Sequence, residues 1–159
     1  MITAYPMPDA SKVRSMLGIL FEGLDVRRGR SFEVEPAAHC WVGLYVADDG
    51  APVAACIADR ALAAKASAAL SMLPPGLARD AVVLGSLTEG MVENLHEVLN
   101  ICSRLLMNEG CAHLKLKGIY PSDALPRAAA SLLAAQKARI DFELDFPKYG
   151  PGTLAVVST

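Results

Sequence analysis

From Ala138 to Phe146 the chain alternates strictly, Ile140, Phe142, Leu144 and Phe146 against Arg139, Asp141, Glu143 and Asp145. A two-residue period belongs to a β-strand, whose successive side chains point to opposite faces, so this segment predicts a strand with one apolar and one wet face. Such a strand must find partner strands and a layer to cover its apolar side. His113 to Ile119 repeats the pattern, with Leu114 and Leu116 set against Lys115 and Lys117, and Leu154 to Val157 reads as a closing strand. Cys40 to Val46 and Ala51 to Ile57 are β-rich runs separated by Asp48-Asp49-Gly50. An Asp-Gly turn between two such runs signals a hairpin.

Helical spacing fills the rest. Val13, Met16, Leu17, Leu20, Phe21 and Leu24 form an apolar stripe at helical period, with Asp9 and Ser11 available as N-caps. Polar, Arg-rich Asp25 to Arg30 follows and leads into Ser31 to Glu35. Asp59 can cap an alanine-rich helix that Pro74-Pro75-Gly76 stops, because proline cannot continue helical hydrogen bonding. Ser86-Leu-Thr-Glu89 has the spacing of a capping box, which starts the longest helix, expected to run to about Asn108 with Gly110 as its stop. Asp123 to Gln136 predicts a short helix with Pro126 in its first turn. The order is helix, hairpin, helix, helix, strand, helix, hairpin. Strands joined through short turns imply an α+β fold, a mainly antiparallel β-sheet with long helices packed on it, and argue against a βαβ nucleotide fold.

The chain has 159 residues, 53% of them hydrophobic, with 15 Lys and Arg against 17 Asp and Glu. A single domain spanning 1–159 is expected, with a core large enough to need no staple. A net charge of -2 gives no electrostatic case for nucleic-acid binding. The hydrophobic fraction includes 26 alanines, and no apolar run reaches the ~18 residues of a spanning helix, so membrane insertion is not expected. Met1 to Pro8 lacks the basic residue and apolar core of a signal peptide, which predicts a cytoplasmic location. Cys40, Cys56, Cys102 and Cys111 show no Cys-x-x-Cys spacing and sit in apolar stretches, as reduced thiols in a core do. Cys111 and His113 are the one pair with ligand-like closeness. Two more ligands would be needed for zinc, so no metal site is expected.

On a wheel of ~100° per residue with Leu95 at zero, Met91, Val92, Val98, Leu99, Cys102 and Leu106 fall within about 60° of it and form a buried stripe. Glu93, Glu97, Asn100 and Arg104 fall at roughly 160°, 200°, 140° and 180°, on the opposite side. Two carboxylates, an amide and a guanidinium therefore share one face. Periodicity alone leaves this face open to a second reading, an ordinary solvated surface. His96 lies about 100° from Leu95, where a half-buried histidine bonded to a neighbour is expected in place of a general base.

The run Glu93-Asn-Leu-His-Glu97-Val-Leu-Asn100 resembles the helix signature of the CheC/CheX/FliY family of chemotaxis phosphatases, an acidic or Ser residue followed by Glu-x-x-Asn and, a strand later, by Pro. Pro121 stands near that place. Leu44 to Ile57 is similar to the family's opening hairpin, Ala61 to Met72 to its small-residue helix, and His113 to Val157 to its closing strands and helix. The single copy of the motif looks most like CheX. The resemblance implies that the helix docks on a phosphorylated response-regulator receiver domain and promotes hydrolysis of its aspartyl phosphate. Glu97 would match the Glu that engages the receiver's lysine, and Asn100 the amide that orients the attacking water. Glu93, Arg104 and Pro121 would serve partner binding, and the Mg2+ would be supplied by the receiver, with no cofactor held by this chain. A homodimer is expected from family analogy and from strand edges that could pair.

Three features depart from the family pattern. Glu93 is longer than the usual residue, Pro121 lies slightly early, and Arg104 occupies a position where small residues are common. Arg104 would either help bind an acidic receiver pocket or obstruct it. The alternative function is a catalytically inactive CheX/FliM-like binding module that scaffolds a signalling or motility complex. No Gly-x-Ser-x-Gly elbow and no Gly-rich phosphate loop supports a hydrolase or nucleotide reading. Trp41 and Tyr45, four residues apart on one strand face, are expected to pack, and Lys115 and Lys117 to face solvent.

Overall fold

The computed structural model describes residues 5–107 and 113–159. The expected stop at Gly110 and the Cys111 half of the Cys111–His113 pair lie outside them. Six strands form one wholly antiparallel sheet: β1 (Asp25–Arg28), β2 (Trp41–Val46), β3 (Pro52–Ala58), β4 (Lys115–Pro121), β5 (Ala138–Phe146) and β6 (Gly150–Ser158). Their spatial order is β1-β5-β6-β3-β2-β4. The described residues also form five helices, α1 (Ala10–Leu17), α2 (Arg60–Leu70), α3 (Pro75–Leu84), α4 (Glu89–Cys102) and α5 (Arg127–Ala134). The α+β expectation holds.

The sheet is covered unequally. On one face α1, α2 and α4 bury Tyr45, Cys56, Phe142, Leu144, Phe146, Leu154 and Val156 beneath Leu17, Leu62, Leu95 and Leu99. Phe21 meets Phe146 edge to face, with ring centroids 4.9 Å apart. On the other face α5 and the segment around Phe32 and Val34 cover Val42, Leu44, Ile57, Ala155 and Val157. Each large apolar side chain removed from water in this way contributes about 1.5–3 kcal/mol before the cost of ordering the chain.

Several elements differ from the sequence expectation. The α1 stripe is helical only to Leu17; Gly18 caps it, and Phe21 and Leu24 reach the core from the turns that follow. Asp25–Arg28, polar and Arg-rich and given no element in the expected order, is the edge strand β1, which holds one apolar residue and exists through its pairing with β5. The alanine-rich helix already ends at Leu70, four residues before Pro74, and Pro75 opens α3, where its missing N–H costs nothing. Ser86 and Glu89 do not form a capping box. Thr88 is the N-cap, its hydroxyl accepting from the Met91 N–H at 3.2 Å, which places Glu89 at the first helical position, out of reach of the box geometry. The long helix ends at Cys102 and continues as a 3-10 turn, Ser103–Leu106. Asp141, expected on the wet face, is 7% exposed and paired with Arg139 at 2.9 Å. Arg139 also lies over the Phe32 ring and donates to the Phe32 carbonyl, so the polar side of β5 holds the 31–35 segment.

Asp59 joins two layers. Its carboxylate caps α2 by accepting from the Leu62 N–H at 2.8 Å and also accepts from the Thr153 N–H of β6 at 3.1 Å. Next to it, a Cβ at Gly152 would lie 2.4 Å from the Leu62 Cα, so only glycine lets α2 start this close to β6. Gly152→Ala is expected to destabilise by about 1–3 kcal/mol in urea unfolding, because the obstructing atoms are backbone. Burial raises the Asp59 carboxyl above its ordinary value. Between the ordinary and the raised value the native state holds more protons than the unfolded chain, so stability from this group falls as pH rises through that window. Asp59→Asn, which keeps the cap, is therefore expected to gain stability relative to the parent from about pH 4 upward, levelling off above the raised value in thermal unfolding.

Candidate functional site

α4 carries the sequence-derived site, and three contacts fix its position. Gly43 of β2 leaves a notch in which the Leu99 side chain sits, since a Cβ there would stand 3.3 Å from Leu99 Cβ and Cδ1. Beside that notch, the buried Tyr45 hydroxyl donates to the Leu99 carbonyl at 2.5 Å. That carbonyl is available because the Ser103 N–H, its partner in a continued α-helix, goes instead to the carbonyls of Asn100 and Ile101 as the helix tightens. From the side, Asn94 Nδ2 donates to the Ser67 carbonyl at 2.9 Å and to Ser71 Oγ at 2.7 Å, tying α4 to α2.

The outward face then follows from helix geometry. Met91, Leu95, Val98, Leu99 and Cys102 are buried, Val92 is half-buried, and Glu93, Glu97, Asn100 and Arg104 are all exposed. Glu97 and Asn100 stand about one turn apart on this face, where side-chain origins lie ~5–6 Å from each other. Among the described residues, none of the four side chains has a hydrogen-bond or ion-pair partner. His96, expected half-buried, is exposed as well. Pro121 is not on the stripe. It ends β4 opposite Trp41, five residues along the strand from Leu116, which shares the Gly43 notch with Leu99, a separation of roughly 16 Å.

Tyr45 and Cys102 beneath α4, and Cys40 on the opposite face of the sheet, are held neutral. Burial, with Cys56 and Cys102 nearby, pushes the Tyr45 hydroxyl well above its ordinary value, so it remains a donor. A hydrogen bond with Cys56, then burial, raises the Cys102 thiol well above its ordinary value, and burial takes Cys40 up to about 11. Thiols held in this way are packing groups, not nucleophiles. Among the described residues no cluster of three or more His, Cys, Asp or Glu could hold a metal ion, and no helix is long and apolar enough to cross a membrane.

Sequence reasoning placed Tyr45 in the core but did not show its bond to α4, and it passed over Asn94 and Gly43. Asn94 had a signal. An amide at the border of the buried stripe, facing a helix built of Ala and Ser, marks a contact between helices that pack closely.

No family model and no curated protein matches the sequence. Solved structures do. A chain of the FliM–SpeE complex from H. pylori aligns at 8% identity and a TM-score of 0.53, covering 94% of this chain and 78% of that one. FliY from Thermotoga maritima aligns at 11% identity and a TM-score of 0.52, covering 94% and 82%. At these identities the likeness is one of fold, and the sheet and helices described above are arranged as in those proteins. The CheX–CheY–BeF3–Mg2+ complex from Borrelia burgdorferi aligns at 9% identity over 93% of this chain and 92% of that one, with a TM-score of 0.42, too low to bear on the fold.

Tyr45→Phe keeps the ring and its packing but removes the donor to Leu99. It is expected to lose about 1–2 kcal/mol in urea unfolding and to speed hydrogen exchange in the last turn of α4 more than in α2.

Proposed function

We propose that the outward face of α4 docks on the phosphorylated receiver domain of a response regulator and promotes hydrolysis of its aspartyl phosphate, as a CheX-like phosphatase. The observation that carries this reading is the pair Glu97 and Asn100, exposed one turn apart without partners among the described residues, on a helix clamped by Tyr45 and Asn94. A helix held at both flanks that presents a carboxylate and an amide with no partner among the described residues leaves both groups available to a docked protein.

The chemistry asks little of this protein. An acyl phosphate is already reactive, so positioning a water molecule in line with the phosphorus supplies much of the acceleration. The Asn100 amide can accept from that water through its oxygen and donate to it through its nitrogen. The water oxygen bonds to phosphorus, the bond from phosphorus to the aspartate oxygen breaks, the aspartate leaves as a carboxylate, and inorganic phosphate carries away the water's protons. Glu97 pairs with the receiver's lysine and sets the depth and direction of docking, with Glu93 one turn earlier adding charge to the same contact. Any magnesium ion in this reading is held by the receiver.

The test is the decay of phosphorylated receiver domains from the same organism, with and without the protein. Asn100→Ala and Glu97→Gln are each expected to reduce the acceleration by about 10- to 100-fold. Both positions are exposed, so unfolding should stay within about 0.5 kcal/mol of the parent. Docking without faster decay on any of these receivers would leave a scaffolding module and remove the phosphatase.

A further inference from the structure

The polar stripe of α4 continues past Asn100. Arg104 follows four residues later, in the 3-10 turn Ser103–Leu106, and is exposed. A 3-10 turn advances ~120° per residue, so Arg104 sits about 40° further round than a continued α-helix would place it, still on the outward side. Four cations of the helical layer are tethered to backbone carbonyls, Lys12 to Met107 at 3.0 Å, Arg14 to Val26 at 2.7 Å, Arg60 to Val82 at 3.1 Å and Lys65 to Pro151 at 2.7 Å, while Arg79 of α3 is exposed without such a bond among the described residues but lies off the α4 stripe. Arg104 has no such partner among the described residues. Glu97, the nearest acid on the stripe, is seven residues back, about 10 Å along the axis, too far to pair with it.

Charge supplies the reason for a free guanidinium here. Two carboxylates, Glu93 and Glu97, arrive on the stripe that meets the phosphoryl group, and neither has an ion-pair partner among the described residues. If Glu97 engages the receiver's lysine, it draws that cation away from the phosphoryl oxygens and adds a negative charge beside them. Hydrolysis passes through a state with charge spread over three phosphoryl oxygens, which a planar guanidinium matches with two parallel N–H donors.

We propose that Arg104 contacts the phosphoryl oxygens of the docked receiver and replaces the positive charge that Glu97 draws off. This rests on the phosphatase reading above and extends it to a residue for which that reading needs no role. Asn100 orients the water and Arg104 holds the group the water attacks.

The experiment measures the kinetics of receiver dephosphorylation by the parent, Arg104→Ala, Arg104→Lys and His96→Ala, together with binding of the same receiver with and without beryllofluoride. Arg104→Ala is expected to lower kcat at least about tenfold with a smaller change in KM, and to reduce the preference for the beryllofluoride-loaded receiver. Arg104→Lys should recover part of kcat, because it restores the charge without the fork, and His96→Ala should match the parent. A parent that accelerates decay while Arg104→Ala equals or exceeds it overturns the Arg104 assignment alone. So does an Arg104→Lys variant no faster than Arg104→Ala. A parent that leaves every receiver's decay unchanged overturns the phosphatase reading and this assignment together.

Discussion

A phenol hydroxyl inside an apolar core has to find an acceptor, because leaving it unpaired costs about 1–3 kcal/mol. In this protein the acceptor is the Leu99 carbonyl, and the rest of the candidate site hangs on that bond. It forms where the helix tightens at Ser103, which leaves that carbonyl without its α-helical N–H, and where Gly43 lets Leu99 settle against the sheet. This buried donor, the Gly43 notch and the Asn94 bonds to α2 together fix where α4 sits. The outward-facing side chains are placed by those contacts while making no hydrogen bond or ion pair of their own among the described residues, so the face stays open.

Alanine does related work next door. The composition is rich in it, and the structure shows where the small side chains are used. Ala64 and Ala68 of α2 and Ala78 and Ala81 of α3 pack together around Met91 of α4. Ala63 and Ala66 turn the opposite way, into the main core against the sheet. Side chains of this size let three helices approach closely, which brings Asn94 within reach of Ser67 and Ser71. The high hydrophobic fraction is a record of helix proximity and not of a membrane segment.

Much of this was legible in the residues. Strict alternation located β5 to the residue, the Asp-Gly turn located the β2–β3 hairpin, and the helical wheel sorted the buried from the exposed side of α4 with His96 misplaced. What escaped were features with no local pattern. β1 has a single apolar residue and is a strand because β5 offers it hydrogen bonds more than a hundred residues away. α3 hides behind a Pro-Pro pair that reads as a stop, whereas α2 already ends at Leu70 and Pro75 begins the next helix. The cap of α4 moved from Ser86 to Thr88 because two hydroxyls of similar capping strength compete within one short turn, and packing decides between them. The Tyr45 bond depends on where a helix stops being α, which no periodicity reports.

The strand order has a kinetic consequence. β6, the latest strand in the sequence, lies between β5 and β3 near the middle of the sheet. Until it arrives, β1 and β5 can form one fragment and β3, β2 and β4 another, with no hydrogen bonds between them. In a nascent chain the β3 edge stays open until β5 and β6, joined only through residues 147–149, emerge together, and the β5 edge is open only briefly. Closure waits for Gly150–Ser158 to insert, a pairing of high sequence separation on the β3 side and of the kind that makes folding slow and leaves apolar edges exposed in the interval. Cellular yield should then depend less on the stability of the finished molecule than on how long the β3 edge is kept from meeting another chain.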